Sequence, residues 1–242
     1  MDDIGDSSVF TPVKRKNEKL ADIVMNNIKD ALVRGQLKPG DRLPPIAEMA
    51  AEMNVGVSSV REAIKMLEAL CVVESRQGER TVICTELNED SINPLTFQMM
   101  ILPKKSEDLI EFREMFESMY TYMAMDNADP DDLDKIRWIT EEQVRKSKEQ
   151  ELSAADEIEF HRAVLNSTHN QYIIKIGETM LELLLGTFQT KLTDYAGLND
   201  ADSHVAIYTA LRDKDKQKLR IILDESFHGW RVKYFNGNEV SM

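Results

Sequence analysis

Glu157 and His161 stand four residues apart, so on a helix their carboxylate and imidazole share one face. At that spacing the pair can chelate one ion, and His204 can supply a third ligand from another helix. Two histidines and a carboxylate suit zinc, nickel, iron or manganese and leave positions open for water or an organic ligand. The plain alternative is a surface pair at i, i+4. Arg113 is the second residue with chemistry to offer. Leu109, Ile110, Phe112, Phe116 and Met119 line the same helical stretch, which would bury a guanidinium only if an anion answered it. Glu117, one turn on, can be that anion. Alternatively Arg113 points into a pocket and holds a ligand's carboxylate in bidentate fashion. His169 falls at a helix junction and reads as structural or solvent-facing. Asp156 is one step off the Glu157 face and a weaker ligand candidate. Met115, Met119, Met123, Met125 and Met180 read as core fillers.

A different chemistry is offered near the N-terminus. Ser58 and Ser59 open a short helix and Arg61 lies one turn in. Short polar side chains and an arginine in the first turn of such a helix can meet phosphates and base edges in a major groove. Arg76, Gln77, Gly78 and Arg80 join two strand-like runs and can approach the neighbouring backbone. Lys14-Arg15-Lys16 forms a basic entry that can touch phosphate. The plain alternative is that Arg61 and Glu62 pair on a solvated helix.

The elements that must position these groups follow from apolar spacing. Leu20, Ile23, Val24, Ile28, Ala31 and Leu32 predict a helix over 17–34, with Gly35 just past its end. A second short helix covers 46–53, with Met49, Ala50 and Met53 inward. Asn54-Val55-Gly56 breaks it, and a third runs from 57 or 58 to 70 with Val60, Ile64, Leu67 and Leu70 inward. Two helices with a brief Gly-containing turn make a helix-turn-helix. Strands at 72–75 and 81–84 add a wing. The expected organisation is a tail at 1–13, read as disordered, a DNA-binding domain at 14–85, a linker at 86–105 with a helix near 89–100, a helical sensing domain at 106–236 and a tail at 237–242. Helices in the second domain are expected at 106–127, 130–149, 151–168, 170–196, 201–213 and 215–235. The fold class is mainly α: a winged helix-turn-helix followed by an all-α bundle.

Charge is divided unevenly over the chain. The net charge is −13. Residues 1–85 hold 12 Lys+Arg and 13 Asp+Glu, whereas the remainder holds 18 and 30. The acidity therefore sits in the second domain, and beyond a Debye length of about 8 Å it costs DNA binding little. Cys71 and Cys84 fit neither a CxxC metal pair nor a disulfide framework and read as small core side chains in a reducing compartment. An acidic, polar N-terminus and the absence of a long apolar run point to a cytoplasmic protein.

The run Gly35-Gln36-Leu37-Lys38-Pro39-Gly40-Asp41-Arg42-Leu43-Pro44 resembles the opening of the winged helix of the GntR family. So do Val55-Gly56-Val57-Ser58-Ser59-Val60-Arg61-Glu62-Ala63-Ile64 and Leu67-Glu68. The second half resembles the FCD ligand-binding domain of the FadR subfamily, through Arg113-Glu114-Met115-Phe116-Glu117, Glu157-Ile158-Glu159-Phe160-His161 and His204. The resemblance implies a homodimer on palindromic double-stranded DNA, commonly a repressor of a catabolic operon, and adds Arg42 to the DNA-facing set. It implies a small organic-acid effector and a divalent metal held by an Asp and three His. Ala47 and Val57 fall where members often carry arginine, and Gln77 where some carry histidine in the wing, which implies a different operator or weaker binding. Glu157 stands where Asp is usual. The last histidine is expected 22 residues after His204, where this chain has Ser226. His228 is two residues on, and two residues turn a helix by about 200°. Three readings are open: Glu157, His161 and His204 hold the metal with water or effector; His228 rejoins through a local shift near Asp213-Lys214-Asp215; or the polar cluster binds an effector directly. The competing functions are a metal-dependent enzyme, which would have no use for a wing, and a DNA-binding protein whose second domain only dimerises.

Overall fold

The computed structural model describes residues 19–75, 80–85, 94–101, 106–189 and 201–236. Lys14, Arg15 and Lys16 lie outside the described residues, as do Arg76, Gln77 and Gly78 of the wing turn. The chain divides into two units, Met1–Pro94 and Leu95–Met242.

The first unit contains α1 (Leu20–Val33), α2 (Ile46–Met53), α3 (Val57–Ala69), β1 (Val73–Glu74) and β2 (Val82–Ile83). Helix α1 buries Ala21, Val24, Ile28 and Ala31, one stripe of a 3.6-residue repeat. It stops because Gly35 turns left-handed at φ 71°, which lets Gln36 N–H bond the Ala31 carbonyl at 2.9 Å. Asn54 ends α2 in the same way, at φ 53°. Gly56 then opens α3, whose Val60, Ala63, Ile64 and Leu67 close over Val24, Ile28, Met49 and Met53 in one core. Leu70, expected inward, is exposed instead: it is the C-cap of α3, where the chain has already left the helical repeat. Strands β1 and β2 pair antiparallel, Val73 opposite Ile83. The 41–43 segment lies along β2, since Leu43 N–H bonds Thr81 O at 2.8 Å and Ile83 N–H bonds Asp41 O at 2.9 Å. Cys71 and Cys84 are free and only half-buried, so neither is the core filler expected.

The second unit's described helices are α4 (Pro94–Met100), α5 (Ser106–Asn127), α6 (Pro130–Glu149), α7 (Ala154–Asn166), α8 (Gln171–Gln189), α9 (Ala201–Asp213) and α10 (Lys216–Asn236). Helix α4 covers the described part of the helix expected near 89–100; residues 89–93 lie outside the described residues. It packs with the bundle, where a linker was read: Thr96 is buried and its hydroxyl donates to Glu182 on α8 at 2.7 Å. Tyr120, Ile136, Ile158, Phe160, Leu165, Leu181, Ile207 and Leu219 form the centre of the second core. Helix α8 comes unusually close to α7 at Gly177. A Cβ added there would overlap the Leu165 methyls. Met125 and Met180 fill the core as expected and Met123 is half-buried, but Met115 and Met119 are exposed. The stripe that carries Arg113, Glu117 and Tyr120 inward leaves positions two residues away pointing out. No described helix is long and apolar enough to cross a membrane.

Candidate functional site

Helix α7 begins at a capping box. The Ser153 hydroxyl accepts from Asp156 N–H, and the Asp156 carboxylate accepts from Ser153 N–H at 2.9 Å. Lys146 on α6 also binds that carboxylate. The lysine and Ser153 outweigh partial burial and hold the Asp156 carboxyl below its ordinary value. Asp156 is thus a framework residue rather than a ligand, and it fixes the turn that carries Glu157.

Glu157 and His161 then lie one turn apart on α7, and His204 near the start of α9 comes between α7 and α6 to meet them. Glu157 Oε1 lies 3.2 Å from His204 Nε2 and 3.5 Å from His161 Nε2. The three ligand atoms all fall within 4.8 Å of one another, with both histidines buried. Glu157 Oε1 is itself buried and no hydrogen-bond partner reaches it among the described residues. Burial would raise the Glu157 pKa, but the two imidazoles override it and hold the carboxyl well below the usual range. Phe160 stacks on the His204 ring at 3.8 Å between centroids, which fixes the ring plane.

Helix α5 supplies a second layer. Arg113 is 4% exposed and Glu117 2% exposed, and Arg113 Nε donates to Glu117 Oε2 at 2.9 Å. Desolvation opposes both charges, yet Glu117 raises the Arg113 pKa, while His161 and Arg113 lower that of Glu117. Arg113 Nη2 lies 3.3 Å from His161 Nε2. On the other side of that ring, Tyr120 Oη lies 3.2 Å and Glu117 Oε1 3.4 Å from His161 Nδ1. Burial, with Glu117 adding to it, pushes the Tyr120 phenol well above its ordinary value, so it stays protonated.

Tyr120 and Gln143, which touches His204 from α6, were not among the expected site residues. Each had a signal. Tyr120 continues the stripe of Arg113 and Glu117 at i+7, and Gln143 continues the buried stripe Ile136, Ile139, Thr140. Two expected alternatives fall elsewhere. His228 is exposed, because Leu219, Leu223 and Phe227 define the inner face of α10. Asp215 caps the start of α10, accepting from Lys218 N–H at 2.9 Å. Ser226 is half-buried on the flank of that face. His169 bonds Asp132 at 2.7 Å and takes no part in the site.

In the first unit, Arg42, Ser58, Arg61 and Arg80 are exposed and Ser59 is half-buried. The first turn of α3 therefore places two serine hydroxyls and an arginine beside the helix N-terminus.

These two units match two family models in order. Residues 20–83 match "Bacterial regulatory proteins, gntR family", and residues 108–228 match the FCD domain. The chain is a transcription regulator of the GntR family. Its FCD domain places it among the FadR-type members. It is 30% identical over 156 residues to the HTH-type transcriptional regulator LutR of Bacillus subtilis, covering 64% of this chain and 71% of that protein. It is 25% identical over 219 residues to the HTH-type transcriptional repressor NanR of Klebsiella aerogenes, covering 88% and 83%. The fold matches that of Streptococcus agalactiae GntR with a TM-score of 0.57 and 18% identity, over 87% of this chain and 98% of that one. The regulator thus binds DNA through the first unit and is not an enzyme, which sets aside the reading of the chain as a metal-dependent enzyme.

Proposed function

We propose that the regulator is a cytoplasmic homodimeric repressor of a metabolic operon, released or reset by a small organic acid bound beside a divalent metal in the second unit. The relatives' names support repression, and the winged helix supports a palindromic operator read by two copies. Arg42, Ser58, Ser59, Arg61 and Arg80, with Lys14–Lys16 and the 76–78 turn, are the DNA-facing set.

The observation that carries the metal reading is the buried Glu157 Oε1, which has no hydrogen-bond partner and faces two imidazole Nε2 atoms. A buried carboxylate oxygen and two imidazole nitrogens converging on one point fit a cation, and Arg113 Nη2, which lies 3.3 Å from His161 Nε2, must yield that nitrogen to it. Glu157, His161 and His204 would hold it; zinc, nickel, iron and manganese all suit two nitrogens and an oxygen. When bound, the ion supplies positive charge and open coordination positions for a carboxylate. Arg113 adds a guanidinium at the edge of the same cluster, so an anion drawn there meets a second cation. Glu117 holds Arg113 in place.

The deciding experiment is elemental analysis of the purified full chain, followed by operator binding with and without small carboxylates. About one metal per chain, lost in His161→Ala, supports the reading. No metal after reconstitution with zinc, nickel, iron or manganese would overturn it. An operator affinity that no acid shifts at saturation would leave the second unit a dimerisation module only.

A further inference from the structure

Gln143 is 1% exposed, a polar side chain at an inner position of α6. Its two ends have different partners. Nε2 donates to the Asp156 backbone carbonyl at 2.5 Å. A carbonyl only accepts, so this bond fixes which way the amide points, with Oε1 facing the other side. There Oε1 lies 2.7 Å from His204 Nδ1. An amide oxygen also only accepts, so His204 carries a proton on Nδ1. In the neutral ring the lone pair is then on Nε2, the atom 3.2 Å from Glu157 Oε1.

The opposite tautomer would behave differently. An Nε2–H would donate to Glu157 Oε1, satisfy that orphaned oxygen, and close the cluster as a hydrogen-bonded pair with nothing left to offer an ion. Phe160 stacks on the ring with 14° between planes and holds that plane, while the bond to Gln143 Oε1 sets which edge carries Nδ1. The amide is anchored to the first turn of α7, one residue before Glu157. One side chain therefore orients His204 against the frame that carries the carboxylate opposite it.

We propose that Gln143 is a positioning residue that selects the His204 tautomer, keeping Nε2 bare toward Glu157 and the cluster receptive to a divalent cation. The inference rests on the metal reading above for its consequence, though not for the tautomer itself. It assigns α6 a role in the site although that helix contributes none of the three ligand atoms.

The test uses full-length, metal-stripped protein with 15N-labelled histidine at mildly alkaline pH, with His204 signals assigned by their loss in His204→Asn. Ring-nitrogen shifts report the tautomer directly. The expected result is Nδ1–H in the wild type and Nε2–H in Gln143→Leu. Zinc affinity, read by competition with a chromophoric chelator, should fall about 10- to 100-fold in Gln143→Leu, as for outer-shell partners of metal-bound histidine. Gln143→Glu accepts from Nδ1 equally well but cannot donate to Asp156 O. It should keep the wild-type zinc affinity while losing thermal stability. A merely structural glutamine would instead lower stability and zinc affinity together in both variants. That result, or an Nε2–H tautomer in the wild type, overturns the proposal. Should Gln143→Leu not fold, the wild-type tautomer and the Gln143→Glu affinity still decide it. A wild type that binds no zinc would defeat the metal reading alone and leave the tautomer measurement standing.

Discussion

Arg113 and Glu117 are bound to one another inside the second core, with His161 a further neighbour of Glu117. Arg113→Met should destabilise the second unit by about 3–5 kcal/mol, the usual result of leaving a buried ion unpaired. Arg113→Met combined with Glu117→Leu should recover much of that loss. Urea unfolding of the three variants checks this; a double variant no more stable than the single one would show that Glu117 is held mainly by His161. On DNA, Arg61→Ala should weaken operator binding and flatten its salt dependence by about one unit if the arginine meets a phosphate. Gel-shift titrations at several salt concentrations read that slope. At this scale the sequence was partly legible. The i, i+4 spacing of Glu157 and His161 and the apolar surroundings of Arg113 were visible in one dimension. Tyr120 and Gln143 were not singled out, since their partners His161 and His204 lie 41 and 61 residues away. A polar residue in a core stripe looks like an interruption until its partner is known.

Helices were easier to read than the contacts between them. Apolar periodicity placed α2, α5, α6 and α9 at the boundaries observed, and caps such as Asn54 after α2 and the Asp129 box before α6 are written into local sequence. It overran α7, where the Ser167 and Thr168 hydroxyls take over backbone carbonyls at the helix end; residues 190–196, expected in α8, lie outside the described residues. It did not show that α4 joins the bundle, because the Thr96–Glu182 bond spans 86 residues. Thr96→Val removes that bond while keeping shape, and should speed amide exchange across Pro94–Met100 without changing exchange in α6. Unchanged protection of α4 would mean that its apolar contacts alone hold it. The α7–α8 approach offers a sharper test. Gly177→Ala gains about 1 kcal/mol of helix propensity, but its methyl meets Leu165, a fully buried side chain that cannot swing away. A net loss of about 1–3 kcal/mol is expected. Gly177→Ala with Leu165→Val should be less unstable than the sum of the single variants, which a double-mutant cycle measures.

Across the whole molecule, charge and chemistry are partitioned alike. The near-neutral N-terminal third carries the DNA-facing residues, and the strongly acidic remainder carries the buried cluster. Ligands that bind only the folded second unit stabilise it by mass action. Zinc at about a hundred times its Kd should therefore add about 2.7 kcal/mol. Thermal melts with zinc should show a raised transition, reversed by chelator and absent in His161→Ala. A shift equal in the variant would place the ion elsewhere, the exposed Asp129, Asp132 and His169 group being the other such group among the described residues.

The cluster is made of nitrogen and oxygen donors, while both of the chain's cysteines, Cys71 and Cys84, stand half-buried in the first unit, around the wing. Thiol-directed reagents therefore address only the first unit. A maleimide fluorophore placed on Cys84 in a Cys71→Ser background would sit near the wing, on a residue outside the proposed metal set. In a homodimer, two such labels would form a ruler between the half-sites, against which any change in separation on adding metal or acid could be read in solution.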